Sequence, residues 1–377
     1  MTLKQVDAEW LENLKNNIPS YLHSLKKDEF RYLPVTSGLT HRGEILNLGF
    51  SCYALKIYHI TNLWENLNEE EKKGWIEYIN SFQTKSKGYP LNSFLDKNYI
   101  HSYLNKSYKN KIKNIIKFSL NKILNKKYIL DSERLVNSIR AESKQSISTL
   151  IQVGSVNELP YLEFPKSKEE IKSYLESLDW TKPWNAGAQF SALCVFIKTQ
   201  ITSKSLKKDL IKTLEDFVIS ISHKDTGLFY SGKKPSNVES VNGAMKIITG
   251  LDWINVSPPY PEKLIETFLD IKPSEDGCDL VDTVYVLYMC SKLTTHKNAE
   301  VKNFLISILD MIKSHYYPDV GGFSYFNNKS QTHYYGVNIS KGDDVPDIHG
   351  TILLTWAVSM ISKMIELPTS DWKVLKP

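Results

Sequence analysis

The apolar residues of the chain recur mostly at steps of three and four positions, which is the spacing of one face of a helix. Residues 46–63 show this spacing clearly, and it predicts a helix with a broad buried face. The run that starts at Thr351 is apolar almost all round, as in a helix that is covered on every side. No convincing stretch alternates apolar and polar residues, so few strands are expected. The pattern predicts an all-α fold.

A unit of two helices recurs along the chain, with an apolar first helix and a more amphipathic second helix. The predicted pairs are 48–61 with 73–82, 140–152 with 169–178, 186–199 with 206–222, 241–251 with 262–269, and 279–291 with 300–314, and residues 348–364 open a sixth pair. Such pairs cannot bury their faces alone and must stack on their neighbours. Six pairs predict a closed (α/α)6-like toroid with the first helices inside, and a linear helical solenoid is the alternative arrangement.

Residues 41–377 are therefore predicted to form one toroid domain, preceded in residues 1–40 by an amphipathic helix and an irregular arm. Residues 101–130 form a basic helical insertion, in which an apolar stripe is surrounded by lysines. The stripe is Ile112, Ile116, Leu120, Ile123 and Leu124, and the lysines are Lys106, Lys109, Lys111, Lys113, Lys117, Lys122, Lys126 and Lys127. A basic amphipathic helix is typical of docking on a membrane surface. The alternative is an outer helix packed on the ring, with solvated charges.

Composition narrows the class of protein. The 377 residues are 41% hydrophobic and 24% charged, as in ordinary globular proteins. The formal charge of +5 is too small an excess to predict nucleic-acid binding. No apolar run is long enough to cross a membrane, and the polar start predicts no signal peptide. Four widely spaced cysteines without a CxxC motif indicate a reducing cytoplasm rather than a disulfide framework.

Polar residues cluster where the predicted inner helices begin, and in a closed ring these positions share one end. Trp180, Trp184 and Asn185 precede one such helix, where tryptophans suit stacking on a sugar or lining a carbocation pocket. Core tryptophans under a loop are the alternative. In the next stretch Glu239 and Asn242 lie near a helix start, with Lys246 one turn further. A lysine in an otherwise apolar helix indicates an anionic ligand or an ion pair, unless it reaches the surface.

Two acidic stretches supply the candidate catalytic groups. Asp279 and Asp282 lie three residues apart and therefore share one face of a helix. Capping the helix needs only one or two of the several acidic residues in this stretch. Asp347 is a predicted N-cap, with His349 in the first turn as a candidate acid/base or metal ligand. Tyr335 adds an aromatic group to the same rim. Capping acids and a satisfied core histidine are the alternatives for these stretches.

At these two stretches the chain resembles the α/α-toroid superfamily of terpenoid cyclases and protein prenyltransferases. The strings Asp279-Leu-Val-Asp282-Thr283 and Pro346-Asp347-Ile-His349-Gly-Thr351 resemble the P-D-x-D-D-T helix entry of the squalene-type cyclases. The cyclases' proton-donating aspartate corresponds to Val281 in one string and to His349 in the other. For the prenyltransferases, the resemblance implies a zinc site near Asp282 and His349, with Val284 at the cysteine position and Cys278 as a substitute only after a register shift.

The resemblance implies an enzyme that acts on an isoprenoid or similarly apolar substrate by acid/base chemistry. Asp282, Asp347 and Asp279 would be its charged groups, and His349 its acid or base. Trp180, Trp184 and Tyr335 would line the cavity. The same ring is shared by glycan-active hydrolases and lyases, which use carboxylates and tryptophan platforms, and a non-catalytic binding protein is a further alternative. The sequence leaves open whether the cofactor is zinc or magnesium, or whether there is none.

Overall fold

The computed structural model describes residues 3–86, 88–105, 108–124, 128–367 and 371–377. It is 60% helical, with 15 α-helices in the described residues, so the all-α prediction is confirmed. Strands in this part of the chain are limited to four two-residue segments that form two antiparallel pairs, β1 (Tyr316–Tyr317) with β2 (Gly322–Phe323) and β3 (His333–Tyr334) with β4 (Val337–Asn338). Within the same ranges no helix is long and apolar enough to cross a membrane.

Six helices, called here the core helices, are buried on nearly all sides. They are α3 (Leu48–Ile60), α7 (Asp131–Gln152), α9 (Pro183–Gln200), α11 (Asn237–Ile254), α13 (Gly277–Ser291) and α15 (Ile348–Met364). Each core helix contacts the next one in chain order, and α15 contacts α3. The contacts therefore follow a cyclic order, because the last core helix returns to the first.

The other helices bury one side and expose the other. They are α1 (Leu3–Leu25), α2 (His41–Ile45), α4 (Glu69–Asn80), α5 (Lys97–Leu104), α6 (Tyr108–Ile123), α8 (Lys168–Ser177), α10 (Lys204–Ile221), α12 (Pro261–Asp270) and α14 (Asn298–Lys313), with a short 3-10 helix at Leu63–Asn66. Helix α4 begins before the predicted residue 73, because Asn68 and Glu71 form a capping box that favours acidic residues in the first turn. Asn185 and Asn242 lie inside α9 and α11 and do not cap them.

Small residues let α9 and α11 approach closely. A Cβ on Gly243 would lie 2.6 Å from the Cβ of Pro183, and one on Gly250 would lie 2.7 Å from the ring of Phe190. Such distances are far inside van der Waals contact, so a larger residue at either position would force the two helices apart. The small residues seen in the sequence of the core helices thus serve helix packing.

The N-terminal region packs on the loops that enter α15. Trp10 of α1 stacks edge-on against Tyr316 and Phe323, with ring centroids 5.8 and 6.4 Å apart. The arm that follows α1 is held through its backbone, since Ile348 N–H donates to Pro34 O at 3.0 Å. The start of α15 is therefore positioned by the first part of the chain.

The C-terminal segment, residues 371–377, crosses the C-terminal ends of three core helices. Its backbone contacts α3 where Lys373 N–H donates to Ile60 O, α7 where Gln152 Nε2 donates to Lys376 O at 2.7 Å, and α11 where Trp253 Nε1 donates to Pro377 O at 2.6 Å. Lys376 Nζ also lies 3.4 Å from Asp252 Oδ1. The C-terminal segment therefore covers this end and pairs several of its polar groups, whereas the buried Nδ1 of His59 and Nε1 of Trp372 have no partner among the described residues.

Candidate functional site

Each core helix carries one or two partly exposed residues among neighbours that are buried. The burial pattern is interrupted by partly exposed residues at Tyr53 in α3, Lys144 in α7, Ala188 and Gln189 in α9, Lys246 in α11, Cys278 in α13, and His349 and Leu353 in α15. Several of them lie in the first two turns of their helix. Lys246 acts electrostatically on Lys56, Cys278 and His349, so side chains from four core helices lie near one another.

His349 lies between two tyrosine rings at the entrance to α15. Its ring stacks on Tyr53 with centroids 4.9 Å apart and planes 3° apart, and on Tyr325 at 5.1 Å and 20°. Burial lowers the pKa of His349 to about 3, and the nearby Lys246 lowers it further in the same direction. The imidazole is therefore neutral at physiological pH. Burial raises the pKa of both tyrosines, so their hydroxyl groups stay protonated.

Asp282 is the buried carboxyl group without a complete set of partners. It is 2% exposed, and its Oδ2 is enclosed with no hydrogen bond to any described residue. Burial raises the pKa of Asp282 to about 7, and Lys246 acts in the opposite direction. Burial and the same aspartate raise the pKa of Cys278 to about 12. Asp282 can therefore gain or lose a proton near neutral pH, whereas the Cys278 thiol stays protonated.

Three lysines from three core helices act on one another electrostatically. Burial lowers the pKa of Lys56 to about 8, and Lys246 contributes to the shift. Burial also lowers the pKa of Lys144, followed by the effects of Lys56 and Lys246. Lys144 and Lys246 keep part of their surface accessible. Burial therefore disfavours the charged forms of Lys56 and Lys144, and the three side chains lie close enough to act on one another.

A second buried acid, Glu142, comes from α7. It accepts a hydrogen bond from the hydroxyl group of Tyr334, and its Oε2 is enclosed without a described partner. Burial raises the pKa of Glu142 to about 8, and the Tyr334 hydrogen bond opposes the shift. Glu142 is thus largely protonated at neutral pH. Glu142 is in α7 and Asp282 is in α13, and two other core helices lie between these two in the cyclic order.

The β3–β4 hairpin carries Tyr335 into a cavity near the starts of α7 and α9. Tyr335 has a φ of +41° and Gly336 a φ of +82°, which suits a hairpin turn but is strained for a tyrosine. Its ring is 38% exposed, and its carbonyl oxygen accepts a hydrogen bond from Tyr99 at 3.1 Å. Backbone strain at an exposed aromatic residue is a feature of functional sites.

The cavity that Tyr335 lines has a volume of about 700 Å³ and opens between α6, α7 and α9. Four cationic side chains line it, Lys113, Lys117, Arg134 and Arg140, together with amides such as Asn137 and Gln189. Arg140 is anchored by Gln189 Oε1 at 3.0 Å, and Gln189 also accepts from Tyr174. Asp131 and apolar residues such as Ile129 and Ala192 share the lining with these cationic and amide side chains. Tyr335 joins the cavity to the central residues, because it interacts electrostatically with Glu142 and Cys278.

Two of the predicted polar residues are used fully by the fold. Asp347 is the N-cap of α15 as predicted, and its two oxygens accept from the N–H groups of Gly350, Tyr325 and Gln331 at 2.7 to 3.1 Å. Burial raises the pKa of Asp347 to about 6, although these N–H groups lower it. Asp279 accepts from Asn242 at 2.7 Å and from the Ser274 hydroxyl at 2.7 Å. Asp347 and Asp279 tie helices and loops together through both of their oxygens, whereas the buried Oδ1 of Asn242 has no partner among the described residues.

The residues before α9 separate into buried and exposed positions. Trp180 is 5% exposed, packs on Phe217 with ring centroids 5.3 Å apart, and donates its indole N–H to Leu175 O. This is the geometry of a core tryptophan. Trp184 is 38% exposed, and its backbone N–H donates to Glu239 at 3.1 Å. Asn185 lines the 700 Å³ cavity, so only part of this stretch adjoins the predicted site.

The basic insertion is a helix whose apolar side lacks cover. Side chains of α6 are exposed along the predicted stripe, from Ile112 at 42% to Ile123 at 77%. The helix is tied to the following segment through Asn114 and Asn121. Its expected contact with a membrane surface stays a prediction. Lys106, Lys126 and Lys127 lie outside the described residues.

The candidate metal ligands do not assemble. Across the described ranges, no three His, Cys, Asp or Glu side chains are placed to hold a metal ion, and this includes Asp282, His349 and Cys278. One physical reason is that the His349 ring is stacked between the rings of Tyr53 and Tyr325.

Several central residues were missed by the sequence analysis. Lys56 had the same signal that identified Lys246, a charged residue inside an apolar helix. Glu142 and Lys144 had no such signal, because α7 carries polar residues along its whole length. Tyr53 and Tyr325 are ordinary aromatic residues in the sequence, and only their contact with His349 singles them out. Comparison of the chain with models of known protein families, with curated proteins and with solved structures finds no match.

Proposed function

We propose that the six core helices are the inner helices of an (α/α)6 toroid, and that the protein is an enzyme acting on a glycan bound at their N-terminal end. The cyclic order of helix contacts supports the toroid. The resemblance to terpenoid cyclases and prenyltransferases is consistent with this architecture but carries no reaction with it.

Hydrogen-bonding side chains in the lining of the cavity are the observation that supports the proposed substrate class. Arg140, Asn137, Asn185 and Gln189 surround an open cavity of about 700 Å³, and Tyr335 offers an exposed ring. Hydrogen-bonding side chains with an aromatic face suit a sugar. An isoprenoid substrate would favour aliphatic and aromatic carbon, since burying these polar groups against hydrocarbon is costly. The lining therefore favours the glycan alternative over the isoprenoid hypothesis.

Asp282 is the residue proposed to transfer the proton. Burial places its pKa at about 7, and an acid/base group works best when its pKa is near the working pH. Its Oδ2 has no hydrogen bond to a described residue, but it is enclosed by protein, so a substrate would reach it only after neighbouring side chains move. His349, whose pKa is about 3, is a weak base, so its proposed role with Tyr53 and Tyr325 is to bind and orient the sugar.

A glycan screen with matched variants tests this function. Purified protein is incubated with neutral and acidic polysaccharides, and new chain ends are measured. Asp282→Asn should reduce the rate about 10² to 10⁴-fold, the usual contribution of acid/base catalysis. Asp252→Asn, at the C-terminal end of the core helices, is the control and should keep full activity.

The products separate the reaction types. Incorporation of ¹⁸O from labelled water into the new chain end indicates hydrolysis, whereas a new carbon–carbon double bond seen by ultraviolet absorbance indicates elimination. Cleavage that Asp282→Asn leaves unchanged would remove the proposed role of Asp282. Turnover of isoprenoid diphosphates instead of glycans would return the assignment to the isoprenoid hypothesis.

A further inference from the structure

The cavity of about 700 Å³ between α6, α7 and α9 carries an excess of positive charge. Among the described residues that line it, Asp131 is the one acidic side chain, and four side chains are cationic: Lys113, Lys117, Arg134 and Arg140. None of the four forms an ion pair with a described residue. The lining therefore holds positive charge that the described side chains do not neutralise.

The cationic side chains are spread over the faces of two helices. Lys113 and Lys117 lie one turn apart on α6, roughly 6 Å along its axis. Arg134 and Arg140 lie six residues apart on α7, roughly 9 Å along that axis. One small anion would contact only part of this surface, whereas a ligand with several separated negative charges could contact both helices.

Arg140 is held in place by neutral groups rather than by a carboxylate. Its guanidinium group donates to Asn137 Oδ1 and to Gln189 Oε1, both at 3.0 Å, and lies 5.6 Å from the centre of the Tyr174 ring. These partners fix its position without neutralising its charge. A positioned guanidinium group without a counter-ion suits recognition of a carboxylate or a similar oxyanion.

The first turns of two core helices border the same cavity. Asp131 is the first residue of α7, and Asn185 lies in the first turn of α9. The N-terminal end of a helix carries a partial positive charge, which adds to the charge of the side chains. A cleft lined mainly by one sign of charge concentrates its field and attracts ligands of the opposite sign.

We propose that the ligand of this cavity is an acidic oligosaccharide, whose sugars carry carboxylate or sulfate groups. That the ligand is a glycan rests on the proposed function, and that it is acidic rests on the charges of the lining. A single-stranded nucleic acid would need several aromatic rings for its bases. Tyr335 offers one exposed ring, whereas Tyr103, the other tyrosine in the described lining, is 5% exposed.

Binding of matched glycans tests this ligand class. The probes are an oligogalacturonate, its uncharged methyl ester, a sulfated oligosaccharide derived from heparin, and a single-stranded oligonucleotide. Titration calorimetry with the full chain measures the dissociation constant of each probe at low and at high salt. An acidic oligosaccharide should bind about tenfold more tightly than the methyl ester, and high salt should reduce this difference because it screens the charges.

A pair of lysine substitutions assigns the binding to the cavity. Lys113→Gln/Lys117→Gln removes two charges from the lining, so it should bind the acidic oligosaccharide about tenfold more weakly and the methyl ester as the wild type does. Lys204→Gln/Lys208→Gln is the matched control, because these exposed lysines have the same spacing on α10 and do not line the cavity. Both variants should melt at the wild-type temperature, since all four positions lie on helix surfaces.

The outcomes separate the kinds of ligand. Tighter binding of the oligogalacturonate assigns carboxylate groups to the ligand, and tighter binding of the sulfated probe assigns sulfate groups; both support an acidic glycan. Equal affinity for the acid and its ester, no binding of either acidic glycan, or equal loss in the two double variants overturns the proposal. Tightest binding of the oligonucleotide overturns it as well.

New chain ends counted in the same samples keep this result separate from the proposed function. Charge-dependent binding without cleavage contradicts the proposed function and leaves the acidic ligand intact. Cleavage of the methyl ester as fast as of the acid, without a difference in affinity, has the opposite meaning.

Discussion

The polar groups at the two ends of the core helices differ in how completely they are paired. At the C-terminal end, residues 371–377 supply partners, and Lys376 is paired with Asp252 while Trp253 and Gln152 donate to backbone oxygens. At the N-terminal end, Asp282 and Glu142 keep an oxygen without a partner. The C-terminal end is covered by a segment that pairs several of its polar groups, and the other end keeps buried carboxyl groups whose pKa values are shifted toward neutrality.

The difference shows which groups serve the fold and which do not. A paired surface ion contributes little to stability, but it costs little as well. A buried ionisable group without a partner lowers stability, so the buried acids at the N-terminal end destabilise the fold. Perturbed acids in a cavity-bearing region are candidates for function on that physical ground.

The largest expected effect is a gain of stability from Glu142→Gln. The pKa of Glu142 is raised to about 8 in the fold from a usual value of 4.5, so the folded state binds an extra proton between these pH values. Its favourable contribution is complete below about pH 4.5 and is lost as the pH rises toward 8. Glutamine has no carboxyl group to ionise, so the variant does not lose stability in this way. Its free energy of unfolding should exceed that of the wild type by about 4 kcal/mol at pH 8 and should be nearly equal to it at pH 5.

Urea denaturation at both pH values measures this gain. Asp252→Asn, which breaks the pair with Lys376 at the C-terminal end, should instead lose about 0.5 kcal/mol at pH 8. Equal stability of the Glu142 variant and the wild type at pH 8 would mean that the two ends do not differ as described.

The next largest expected effect is a loss of stability at the N-terminal end of the core helices. Asp347→Ala removes the N-cap of α15 and the acceptor for two loop N–H groups. The expected cost is about 3 kcal/mol, since a lost cap and buried N–H groups without acceptors add up. Asp282→Asn should instead gain stability at pH 8 in the same denaturation experiment, because burial raises the pKa of Asp282 to about 7 and ionisation of the carboxyl group above that pH destabilises the fold. If both variants lost equal stability, Asp282 would be a structural residue too.

A smaller loss is expected at the C-terminal end. Trp253→Phe removes the 2.6 Å hydrogen bond to Pro377 O and should lower the free energy of unfolding by about 1 kcal/mol. Amide hydrogen exchange of residues 371–377 should increase in the variant, while exchange at the start of α15 stays as in the wild type. An increase at both ends would show that the two ends are coupled.

The smallest effect on stability is expected on α6, at the mouth of the cavity. Ile116 is 52% exposed, so Ile116→Asp should change the free energy of unfolding by less than about 0.5 kcal/mol. If α6 docks on an anionic membrane surface, the variant should bind vesicles containing anionic lipid about tenfold more weakly in a sedimentation assay. Ile219→Asp on α10, with an isoleucine 48% exposed, is the matched control. Equal loss in both variants, or no vesicle binding by the wild type, would contradict the docking prediction.

Local features of the sequence determined the helices and one of their caps. Spacing of apolar residues predicted the six core helices and their partners, with most starts displaced by a few residues, as at α4, where the capping box of Asn68 and Glu71 lies upstream of the apolar pattern. The start of α7 was predicted at residue 140, whereas the helix begins at Asp131, because its first two turns carry few apolar residues. Asp347 was predicted as an N-cap and is one. Such features depend on neighbours a few positions away, and these are visible in the sequence.

Only the tertiary structure decided which polar residues share a site. Asp279 and Asp282 look alike in the sequence, yet Asp279 is satisfied by Asn242 and Ser274 while Asp282 keeps a free oxygen. Lys56 and Lys144 lie near Lys246 only because of the packing of α3, α7 and α11. The pKa of a side chain depends on burial and on charges from distant parts of the chain. That is why the sequence determined the elements, and the packing of the elements determined the site.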